Sequence, residues 1–463
     1  MVKSNYLSIV VAVFVAIAKC SLAILCFSLA LYLRTPLFAG TRNILFWILL
    51  LLGVGLFGLE LVRLKHQHRS SRIGGLLILS IAFGAIAILT TSELKFNFAK
   101  QRILNSNSAQ LAALGQHFVV GYRNIDEVKK LAETGAIGGI FITRRNIKNK
   151  TVLEIKQEIA ALQSARVQHH LPPLWVATDQ EGGIVSRLSP PLTQLPPLAQ
   201  IVDSANSDSA NSMDQQTADV IQYARVHGEE LANLGVNLNF APVVDLNKNV
   251  VNPRDKFSQI YRRAISTHQQ VVADVALQYC QTLEDYGVRC TIKHFPGLGG
   301  VATDTHIEEA ELWSSIAELT QADWVPFRKV MSQSNAVVML GHAKLMAVDD
   351  RHPVSFSQPV VTGILRDSWQ HQGVLITDDF SMQAVYGSEL GLENAAIASL
   401  NAGVDLILIS YDTDLYYEAM MALLKAETNG LLNVKQLETS QRRLAASMSN
   451  RPTLPHPETE KSS

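Results

Sequence analysis

The sequence predicts a (β/α)8 barrel of the TIM type that is preceded by three transmembrane helices. Three features support this prediction. The first hundred of the 463 residues contain three long apolar runs. The rest of the chain alternates eight times between a short apolar run and an amphipathic stretch, and polar residues follow five of these runs. A doubly wound parallel sheet is the alternative, but eight strand–helix units favour a closed barrel.

The three apolar runs cover residues 6–33, 44–62 and 73–91. Each run is long enough for a helix to cross the hydrocarbon core of a bilayer. A cleaved signal peptide is the alternative for the first run, but this run exceeds the apolar region of such a peptide and two more runs follow it. We therefore expect residues 1–95 to form a retained membrane region.

Basic residues beside these runs predict the orientation of the chain. The first connection contains only Arg34 and Arg42, whereas the second connection contains Arg63, Lys65, Arg69 and Arg72. Because short connections rich in lysine and arginine stay in the cytoplasm, we expect the second connection inside. The chain beyond the third run then lies on the periplasmic side of the inner membrane. Basic residues at positions 95, 100 and 102 favour the opposite orientation.

Charge and ligand spacing argue against two classes of partner. The chain has 40 basic and 41 acidic residues and a net charge of -1, which is not the basic surface that nucleic-acid binding requires. The sequence has no His-Glu-x-x-His pair or comparable spacing of metal ligands. We therefore predict no nucleic-acid partner, no bound metal and no cofactor.

The four cysteines are too few for a fold built on disulfides. Cys20 and Cys26 lie in the first apolar run, more than one helical turn apart, so they do not reach each other. Cys280 and Cys290 are the remaining pair. They could form a disulfide in an oxidising compartment, but we expect two buried thiols.

The predicted barrel occupies residues 105–448. Its eight strands are expected at residues 117–120, 139–142, 174–178, 237–241, 291–293, 337–340, 374–377 and 405–409. Helical periodicity falls between them, for example at residues 151–164, 217–234, 268–286 and 392–401. The last segment, 449–463, is polar and rich in proline, so we expect a disordered tail.

Polar residues collect where the predicted strands end, which is where TIM barrels place reactive groups. Such residues follow each of the predicted strands three to seven. In strand order they are Asp179-Gln180-Glu181-Gly182-Gly183, then Pro242 with Asp245, then Lys293-His294, then Gly341-His342, and finally Asp378-Asp379. One polar strand end would mean little, but five on one rim predict a functional site. Lys293 and His294 are neighbours, so in a regular strand only one of them would face a substrate.

The loop after the fifth strand carries the most specific pattern. It is rich in glycine, and Asp304 precedes His306 by two residues. An aspartate in this position can accept a hydrogen bond from the imidazole and fix its tautomer, which prepares the histidine for proton transfer near neutral pH. Asp378 ends the seventh strand and would face this loop. A carboxylate opposite a proton donor is the arrangement of a retaining glycosidase.

Four segments carry a resemblance to a known family. They are, in order, DQEGGIVSR, NFAPVVD, KHFPGLGG followed by DTH, and TDDFSM. These segments resemble the successive motifs of family 3 glycoside hydrolases. More narrowly, they are similar to the single-domain bacterial β-N-acetylglucosaminidases of that family, the NagZ type. The resemblance covers about residues 115–430 and implies a barrel without the second domain of the family's β-glucosidases.

The resemblance also implies roles for individual residues. Asp378 matches the nucleophile, and His306 matches the acid/base residue with Asp304 as its partner. Asp379 matches a neighbour that supports the loop. The residues that match the family's sugar-binding positions are Asp179, Arg187, Arg263, Lys293 and His294.

The sequence departs from the family's pattern at two positions. Arg263 stands before Ala-Ile-Ser where the family has Ser-Phe-Gly, so Arg254 and Arg262 are alternatives for the substrate-binding arginine. Leu298 stands where many relatives have a second histidine, which removes any hydrogen bond from that side chain. Neither departure touches Asp378 or His306.

We expect a membrane-anchored, retaining exo-β-N-acetylglucosaminidase whose partner is a glycan that contains N-acetylglucosamine. Peptidoglycan fragments and chito-oligosaccharides are the expected substrates. One alternative is a family 3 hydrolase of other specificity, such as a β-glucosidase, which the Asp304–His306 pair disfavours. The other alternative is an inactive receptor for muropeptides, against which the intact set of reactive residues argues.

Overall fold

The computed structural model of the protein describes residues 2–65, 69–205 and 212–449. The chain forms two compact units, Met1–Arg102 and Ile103–Ser463. The first contains three long apolar helices, and the second contains a closed barrel of eight parallel strands. The predicted fold class is therefore confirmed. The tail predicted at 449–463 lies, apart from Ser449, outside the described residues.

The amino-terminal unit consists of helices α1 (Val2–Tyr32), α2 (Arg42–Leu64) and α3 (Arg69–Leu104), with a 3-10 turn at Pro36–Phe38. The segments that are long and apolar enough to cross a membrane are Val10–Tyr32, Arg42–Leu64 and Arg72–Leu104. Helix α3 does not end with its apolar run at residue 91. It continues through residues of good helix propensity to residue 104, past the boundary that we expected at residue 95.

Two charged residues are buried in the described part of this unit, and both have partners. Glu60 of α2 is 2.5 Å from Lys19 Nζ of α1. Arg42, at the start of α2, donates to backbone carbonyls at the end of α1 and just beyond it, those of Leu33, Arg34 and Thr35. Such pairing satisfies polar groups that apolar surroundings would otherwise penalise.

In the described part of the second unit, twelve strands follow in the order β1 (Phe118–Gly121), β2 (Gly139–Phe141), β3 (Trp175–Thr178), β4 (Gln180–Gly182), β5 (Val185–Ser186), β6 (Leu238–Asn239), β7 (Arg289–Phe295), β8 (Ala310–Leu312), β9 (Val337–Leu340), β10 (Ala343–Leu345), β11 (Leu375–Asp379) and β12 (Leu406–Ile409). Eight of them close the barrel in the order β1-β12-β11-β9-β7-β6-β3-β2. The other four form two small sheets, β4-β5 and β8-β10, in segments that follow barrel strands.

The helices of this unit are α4 (Ala109–Gly115), α5 (Ile125–Glu133), α6 (Arg144–Ile147), α7 (Val152–Gln168), α8 (Leu198–Ala205), α9 (Ser212–Leu234), α10 (Ile260–Arg263), α11 (Gln269–Asp285), α12 (Ile316–Gln321), α13 (Trp324–Gln333), α14 (Gln383–Tyr386), α15 (Gly391–Ala402), α16 (Leu415–Thr428) and α17 (Val434–Ser449). A π-helical segment spans Pro359–Ser368, and 3-10 turns span Leu298–Gly300 and Val354–Phe356. Local sequence explains several starts. Thr151, for example, forms a reciprocal cap with Glu154 at the start of α7.

The barrel interior is filled by side chains. Phe141 and Phe240 stack with their ring centroids 5.6 Å apart, and they pack with Trp175, Leu238 and Met339 in one buried cluster. These residues alternate along short strands, so the inward side chains of neighbouring strands interdigitate. A filled interior leaves the strand ends as the places where a site can form.

A cluster around Asp405 closes the amino end of the barrel. Asp405 directly precedes β12, is fully buried, and accepts hydrogen bonds from Arg366 (2.7 Å) and Arg443 (2.8 Å). Its oxygens also accept from the Ser440 hydroxyl and the Leu375 N–H. Burial would raise the pKa of Asp405, but the two guanidinium groups hold it below its usual value. The cluster ties the π-helical segment and α17 to the strands.

Cys280 in α11 and Cys290 in β7 form a disulfide, with their Cα atoms 5.2 Å apart. Our expectation of two free thiols was therefore wrong. The chain turns tightly between α11 and β7, so the last turns of the helix pack beside the start of the strand that it precedes. This brings the two Cα atoms to a separation that a disulfide spans.

Candidate active site

The carboxyl ends of the barrel strands bring the predicted polar residues together on one rim. Asp179 directly follows β3, Lys293 and His294 lie in the last half of β7, and Asp378 lies in β11. The loop that carries Asp304 and His306 connects β7 to β8. The barrel therefore gathers residues that are up to two hundred positions apart.

One part of the rim is a buried cluster of opposite charges. Lys293 Nζ donates to Asp179 Oδ1 (2.8 Å) and lies 2.6 Å from Glu181 Oε1. Arg263 binds the same Glu181 with two hydrogen bonds of 2.9 and 2.7 Å. Burial would raise the pKa of Glu181, but Arg263 and Lys293 lower it to about 2. The cluster is therefore held in one arrangement by charge-assisted hydrogen bonds.

Arg263 is the arginine that joins this cluster. It ends the short helix α10, and its side chain is 8% exposed. Arg262 is exposed and donates to the Gln259 side chain at 2.9 Å. Arg254 is exposed as well. Of the three arginines that the sequence offered, only Arg263 contacts the residues around Asp179.

His294 pairs with Asp245, a fully buried carboxylate. The ring Nδ1 of His294 lies 2.7 Å from Asp245 Oδ2, and its backbone N–H also donates to this carboxyl group. Lys293 and His294 thus both contact acidic residues of the rim, although neighbours in a regular strand point to opposite sides. The pairing of β7 with β9 shifts register between Ile292 and Phe295, which interrupts the alternation.

Asp378 is a half-buried carboxylate surrounded by imidazoles. Burial would raise its pKa, but the nearby rings of His294, His342 and His306 hold the pKa below the usual value. One of its oxygens also accepts the N–H of Asp379 at 2.8 Å. Asp378 is therefore an anion across the neutral range, which is the form that a nucleophile needs.

Its neighbour Asp379 holds the surrounding loops together. The Asp379 carboxylate accepts four hydrogen bonds, from the N–H groups of Ser381, Ser410 and Tyr411 and from the Ser410 hydroxyl. His342 lies beneath it, with Nδ1 on the Ser355 hydroxyl and Nε2 on the Asp379 carbonyl. Both residues have their polar atoms occupied, so they shape the site rather than offer a free reactive atom.

Asp304 and His306 form a hydrogen-bonded pair. His306 Nδ1 lies 2.8 Å from Asp304 Oδ1, and the His306 N–H donates to the same oxygen. Burial would raise the pKa of Asp304, but its hydrogen bonds with His306 hold it well below the usual range. Asp304 is therefore an ionised carboxylate. It accepts a hydrogen bond from the N–H at Nδ1 of His306. Nε2 is the ring nitrogen that faces away from Asp304.

The chain after Asp378 holds the loop with Asp304 and His306 in place. The N–H of Gln383 donates to the His306 carbonyl (3.1 Å), and the N–H of Ala384 donates to the Thr305 carbonyl (3.3 Å). Both donors lie at the start of α14, five and six residues beyond Asp378. The loop with His306 is thus fixed to the strand end with Asp378 by main-chain hydrogen bonds.

Arg187 and Leu298 contact the other residues of this rim through their backbone N–H groups. Arg187 has an exposed side chain, and its backbone N–H donates to the Asp179 carbonyl at 3.0 Å. Leu298, the departure from the family's histidine, donates its backbone N–H to Asp245 Oδ1 at 2.6 Å. Within the described ranges, no group of three or more His, Cys, Asp or Glu side chains is arranged to hold a metal ion.

Sequence reasoning did not assign roles to Glu181, Asp245 and Ser258. Glu181 and Asp245 lie within the strand-end motifs, so their positions were visible although their partners were not. Ser258 donates its hydroxyl to Asp304 at 3.0 Å. No motif marks it, because the segment that carries it lies between recognisable elements.

The chain is similar to a known protein family and to two named enzymes. The family model described as "Glycosyl hydrolase family 3 N terminal domain" matches residues 104–446. A β-hexosaminidase of Neisseria meningitidis serogroup B is 32% identical over 300 residues, which are 65% of this chain and 78% of that protein. A β-hexosaminidase of Nitrosomonas eutropha is 32% identical over 292 residues, 62% of this chain and 77% of its own.

Solved structures show the same likeness. A family 3 β-N-acetylglucosaminidase from Paenibacillus sp. is 28% identical with a TM-score of 0.66, over 75% of this chain and 64% of that one. A β-N-acetylhexosaminidase from Beutenbergia cavernae is 26% identical with a TM-score of 0.64, over 74% of this chain and 100% of that one. Fold, motif order and sequence identity lead to one conclusion, that this chain belongs to family 3 of the glycoside hydrolases.

Proposed function

We propose that the protein is a retaining exo-β-N-acetylglucosaminidase, which removes a terminal N-acetylglucosamine from peptidoglycan fragments or chito-oligosaccharides. The observation that carries the proposal is Asp378, a carboxylate kept ionised by imidazoles and fixed by its own loop to the Asp304–His306 pair. The names of similar proteins support the choice of sugar, since they include β-hexosaminidases and a β-N-acetylglucosaminidase.

In the first step, Asp378 attacks the anomeric carbon of the sugar. The Nε2–H of protonated His306 gives its proton to the glycosidic oxygen, the bond from the anomeric carbon to that oxygen breaks, and the aglycone leaves as an alcohol. The sugar remains as an ester on Asp378. Asp304 supports this step because its carboxylate stabilises the imidazolium and keeps Nδ1 occupied, so that Nε2 is the nitrogen that reacts.

In the second step, neutral His306 removes a proton from a water molecule. The water oxygen attacks the anomeric carbon, the ester bond breaks, and Asp378 leaves as a carboxylate. His306 is protonated again, so the site returns to its starting state. Two displacements at one carbon retain its configuration.

The buried ion cluster holds the sugar. Asp179 and Lys293 present a carboxylate and an ammonium group to its hydroxyls, while Arg263 fixes Glu181 behind them. His294 pairs with Asp245 and lies near Asp378, and Arg187 adds an exposed side chain next to Asp179 in the chain fold. Because these groups are already paired, little reorganisation is needed when the sugar binds.

We further propose that residues 1–95 anchor the enzyme in the inner membrane, that residues 105–448 form its periplasmic catalytic domain, and that residues 449–463 form a tail. The disulfide between Cys280 and Cys290 supports an oxidising compartment. A reporter enzyme that is active only outside the cytoplasm, fused after residue 463, tests the orientation. Activity of the fusion supports the proposal, and an inactive fusion that accumulates in the membrane contradicts it.

The central test is release of p-nitrophenol from its β-N-acetylglucosaminide by the full-length protein in detergent. We expect turnover by the wild type and a loss of about four orders of magnitude or more in Asp378→Ala, because no group replaces the nucleophile. Asp367→Ala removes an exposed carboxylate near the amino end of the barrel and serves as the matched control. It should keep the wild-type rate.

Substrate comparison and trapping complete this test. The corresponding aryl β-glucoside should react at least about a hundredfold more slowly, because it lacks the acetamido group that the site is proposed to bind. A 5-fluoro N-acetylglucosaminyl fluoride should add the mass of one sugar to the peptide that contains Asp378. Normal turnover by Asp378→Ala, or a sugar trapped on another residue, would show that Asp378 is not the nucleophile.

A further inference from the structure

The segment 252–259, between β6 and α10, folds against the acid/base loop. The N–H of Phe257 donates to Asp304 Oδ2 (3.1 Å), and the Ser258 hydroxyl donates to Asp304 Oδ1 (3.0 Å). The Phe257 ring lies against the imidazole of His306, with the ring centroids 5.4 Å apart and the planes at 38°. Both members of the pair therefore receive contacts from outside their own loop.

We propose that Ser258 and Phe257 are positioning residues for proton transfer, Ser258 through its hydroxyl on Asp304 and Phe257 through its ring on His306. This inference rests on the proposed role of His306 as the acid/base residue. His306 has a side chain that is 39% exposed, on a loop rich in glycine. A catalytic group in such a position needs neighbours that restrict its rotation, because proton transfer requires a fixed donor and acceptor geometry.

The position of the Ser258 oxygen explains how the imidazole is restricted. Ser258 Oγ lies 3.0 Å from Asp304 Oδ1 and 3.4 Å from His306 Nδ1. The Ser258 oxygen thus occupies the space beside Nδ1, and its O–H uses a further lone pair of the Asp304 carboxylate. The ring keeps its Nδ1–H on Asp304, and Nε2 stays directed away from the pair. The Phe257 ring blocks tilting of the imidazole from one face.

Ser258 also joins the acid/base pair to the sugar-binding cluster. Its carbonyl accepts a hydrogen bond of 2.7 Å from Arg263, which binds Glu181 with its other nitrogens. The same residue thus contacts Arg263 through its main chain and Asp304 through its side chain. The two halves of the site are linked by one residue, which fixes their separation.

The segment is held in shape by hydrogen bonds of its own. The Asp255 carboxylate accepts the N–H of Gln259 at 2.8 Å, and the Asn252 side chain donates to the Ala302 carbonyl at 2.7 Å. Gln259 adopts a positive φ of 40°, a conformation that a residue with a side chain rarely takes. Residues in such conformations persist where the surroundings impose them, and they cluster at active sites.

A series of aryl β-N-acetylglucosaminides tests this proposal with the full-length protein. Phenol is a poor leaving group that needs the proton of His306, whereas 2,4-dinitrophenol leaves without it. Ser258→Ala should lower kcat/KM for the phenyl substrate by about tenfold or more, because a hydrogen bond to a charged group is lost, and it should barely change kcat/KM for the dinitrophenyl substrate. Phe257→Ala should show the same selectivity with a smaller loss.

Four companion variants make the outcome decisive. Ser258→Thr keeps the hydroxyl and should restore the reaction of the phenyl substrate. Ser315→Ala, which removes an exposed helix-capping hydroxyl at the start of α12, should not discriminate between the substrates. His306→Ala should discriminate more strongly than Ser258→Ala, and the double variant should match His306→Ala alone.

Failure of the positioning proposal can be distinguished from failure of the proposed role of His306. If His306→Ala loses activity equally on both substrates, the proposed role of His306 is wrong. If His306→Ala discriminates but Ser258→Ala and Phe257→Ala do not, the positioning proposal is overturned and the proposed function stands. Equal losses on both substrates in Ser258→Ala, with no rescue by Ser258→Thr, would likewise assign Ser258 a structural role only.

Discussion

The two ends of the barrel each hold a buried carboxylate between two basic side chains, but they differ in what remains accessible. Asp405 at the amino end is 0% exposed, and its carboxylate accepts hydrogen bonds from Arg366 and Arg443. Glu181 at the carboxyl end is 6% exposed. Its cluster continues through Lys293 to Asp179, whose side chain is 21% exposed. One cluster is closed, and the other opens to solvent through a single carboxylate.

This difference shows how one kind of interaction serves two purposes in a barrel. The Asp405 carboxylate accepts its hydrogen bonds from groups of the protein, so its cluster holds the π-helical segment and α17 to the strands. Where one member reaches solvent, the same pairing fixes that member for a ligand. The general rule that the amino end of a TIM barrel serves stability and the carboxyl end serves chemistry has this physical basis here.

The largest expected effect is on stability, from Asp405→Asn. This change leaves Arg366 and Arg443 buried without their counter-charge, so the free energy of unfolding should fall by about 3–5 kcal/mol. The melting temperature of the barrel should fall by roughly 5 °C, as measured by calorimetry or circular dichroism. At a temperature where the variant is folded, kcat/KM should equal that of the wild type.

The pH dependence of this loss has a definite sign. The folded-state pKa of Asp405 is lowered, so its contribution is complete above the unfolded-state pKa of about 3.9 and disappears as the pH falls toward the folded value. The difference in melting temperature between wild type and Asp405→Asn should therefore be constant between about pH 5 and 8 and shrink below about pH 4. A lower kcat/KM in the folded variant would show that the Asp405 cluster affects catalysis as well as stability. The proposed separation of roles between the two barrel ends would then be wrong.

The next largest effect concerns the open cluster, through Glu181→Gln. The amide keeps the shape of the side chain but removes the charge between Arg263 and Lys293. We expect kcat/KM to fall roughly a hundredfold, because small displacements of substrate-positioning groups cost about that much. KM should rise, and the melting temperature should change less than in Asp405→Asn. A variant with normal KM and a large loss of stability would make this cluster structural as well.

Much of the fold could be predicted from the sequence because its signals are local. All eight barrel strands lie where short apolar runs predicted them, and the three apolar helices correspond to the three long runs. The exact end of α3 was missed, because polar residues of high helix propensity continue the helix beyond the apolar run. The disulfide was missed because it depends on a tertiary distance between Cys280 and Cys290.

The site was predictable where a motif supplied the residue and unpredictable where only a contact does. Asp304 and His306 are two positions apart, so their pairing followed from their spacing. Glu181 and Arg263 are 82 positions apart, and nothing in the sequence shows that they meet. Ser258 reaches Asp304 across 46 positions from a segment without a motif. Such partners depend on how loops fold over the rim, which carries no periodic signal.

The smallest expected effect concerns the kind of cation that each end places beside its carboxylate. Asp405 is paired with the planar guanidinium groups of two arginines, Arg366 and Arg443. Asp378 is instead surrounded by the imidazole rings of His294, His342 and His306, which lower its pKa. His294→Asn removes one imidazole while its amide can still reach Asp245. The variant tests whether a charge on that ring favours the ionised form of Asp378, the proposed nucleophile.

The sign of the effect follows from the charge. A protonated imidazole favours the carboxylate, so its removal should raise the pKa of Asp378, and a larger fraction of the enzyme then carries a neutral, unreactive nucleophile at acid pH. The acid limb of the kcat/KM profile should therefore move to higher pH, by on the order of half a unit to one unit. His371→Asn, a buried histidine near Asp405 at the other end, is the matched control and should leave the limb unchanged. An acid limb that stays in place or moves to lower pH in His294→Asn would mean that burial and the Asp379 N–H set the ionisation of Asp378 without His294.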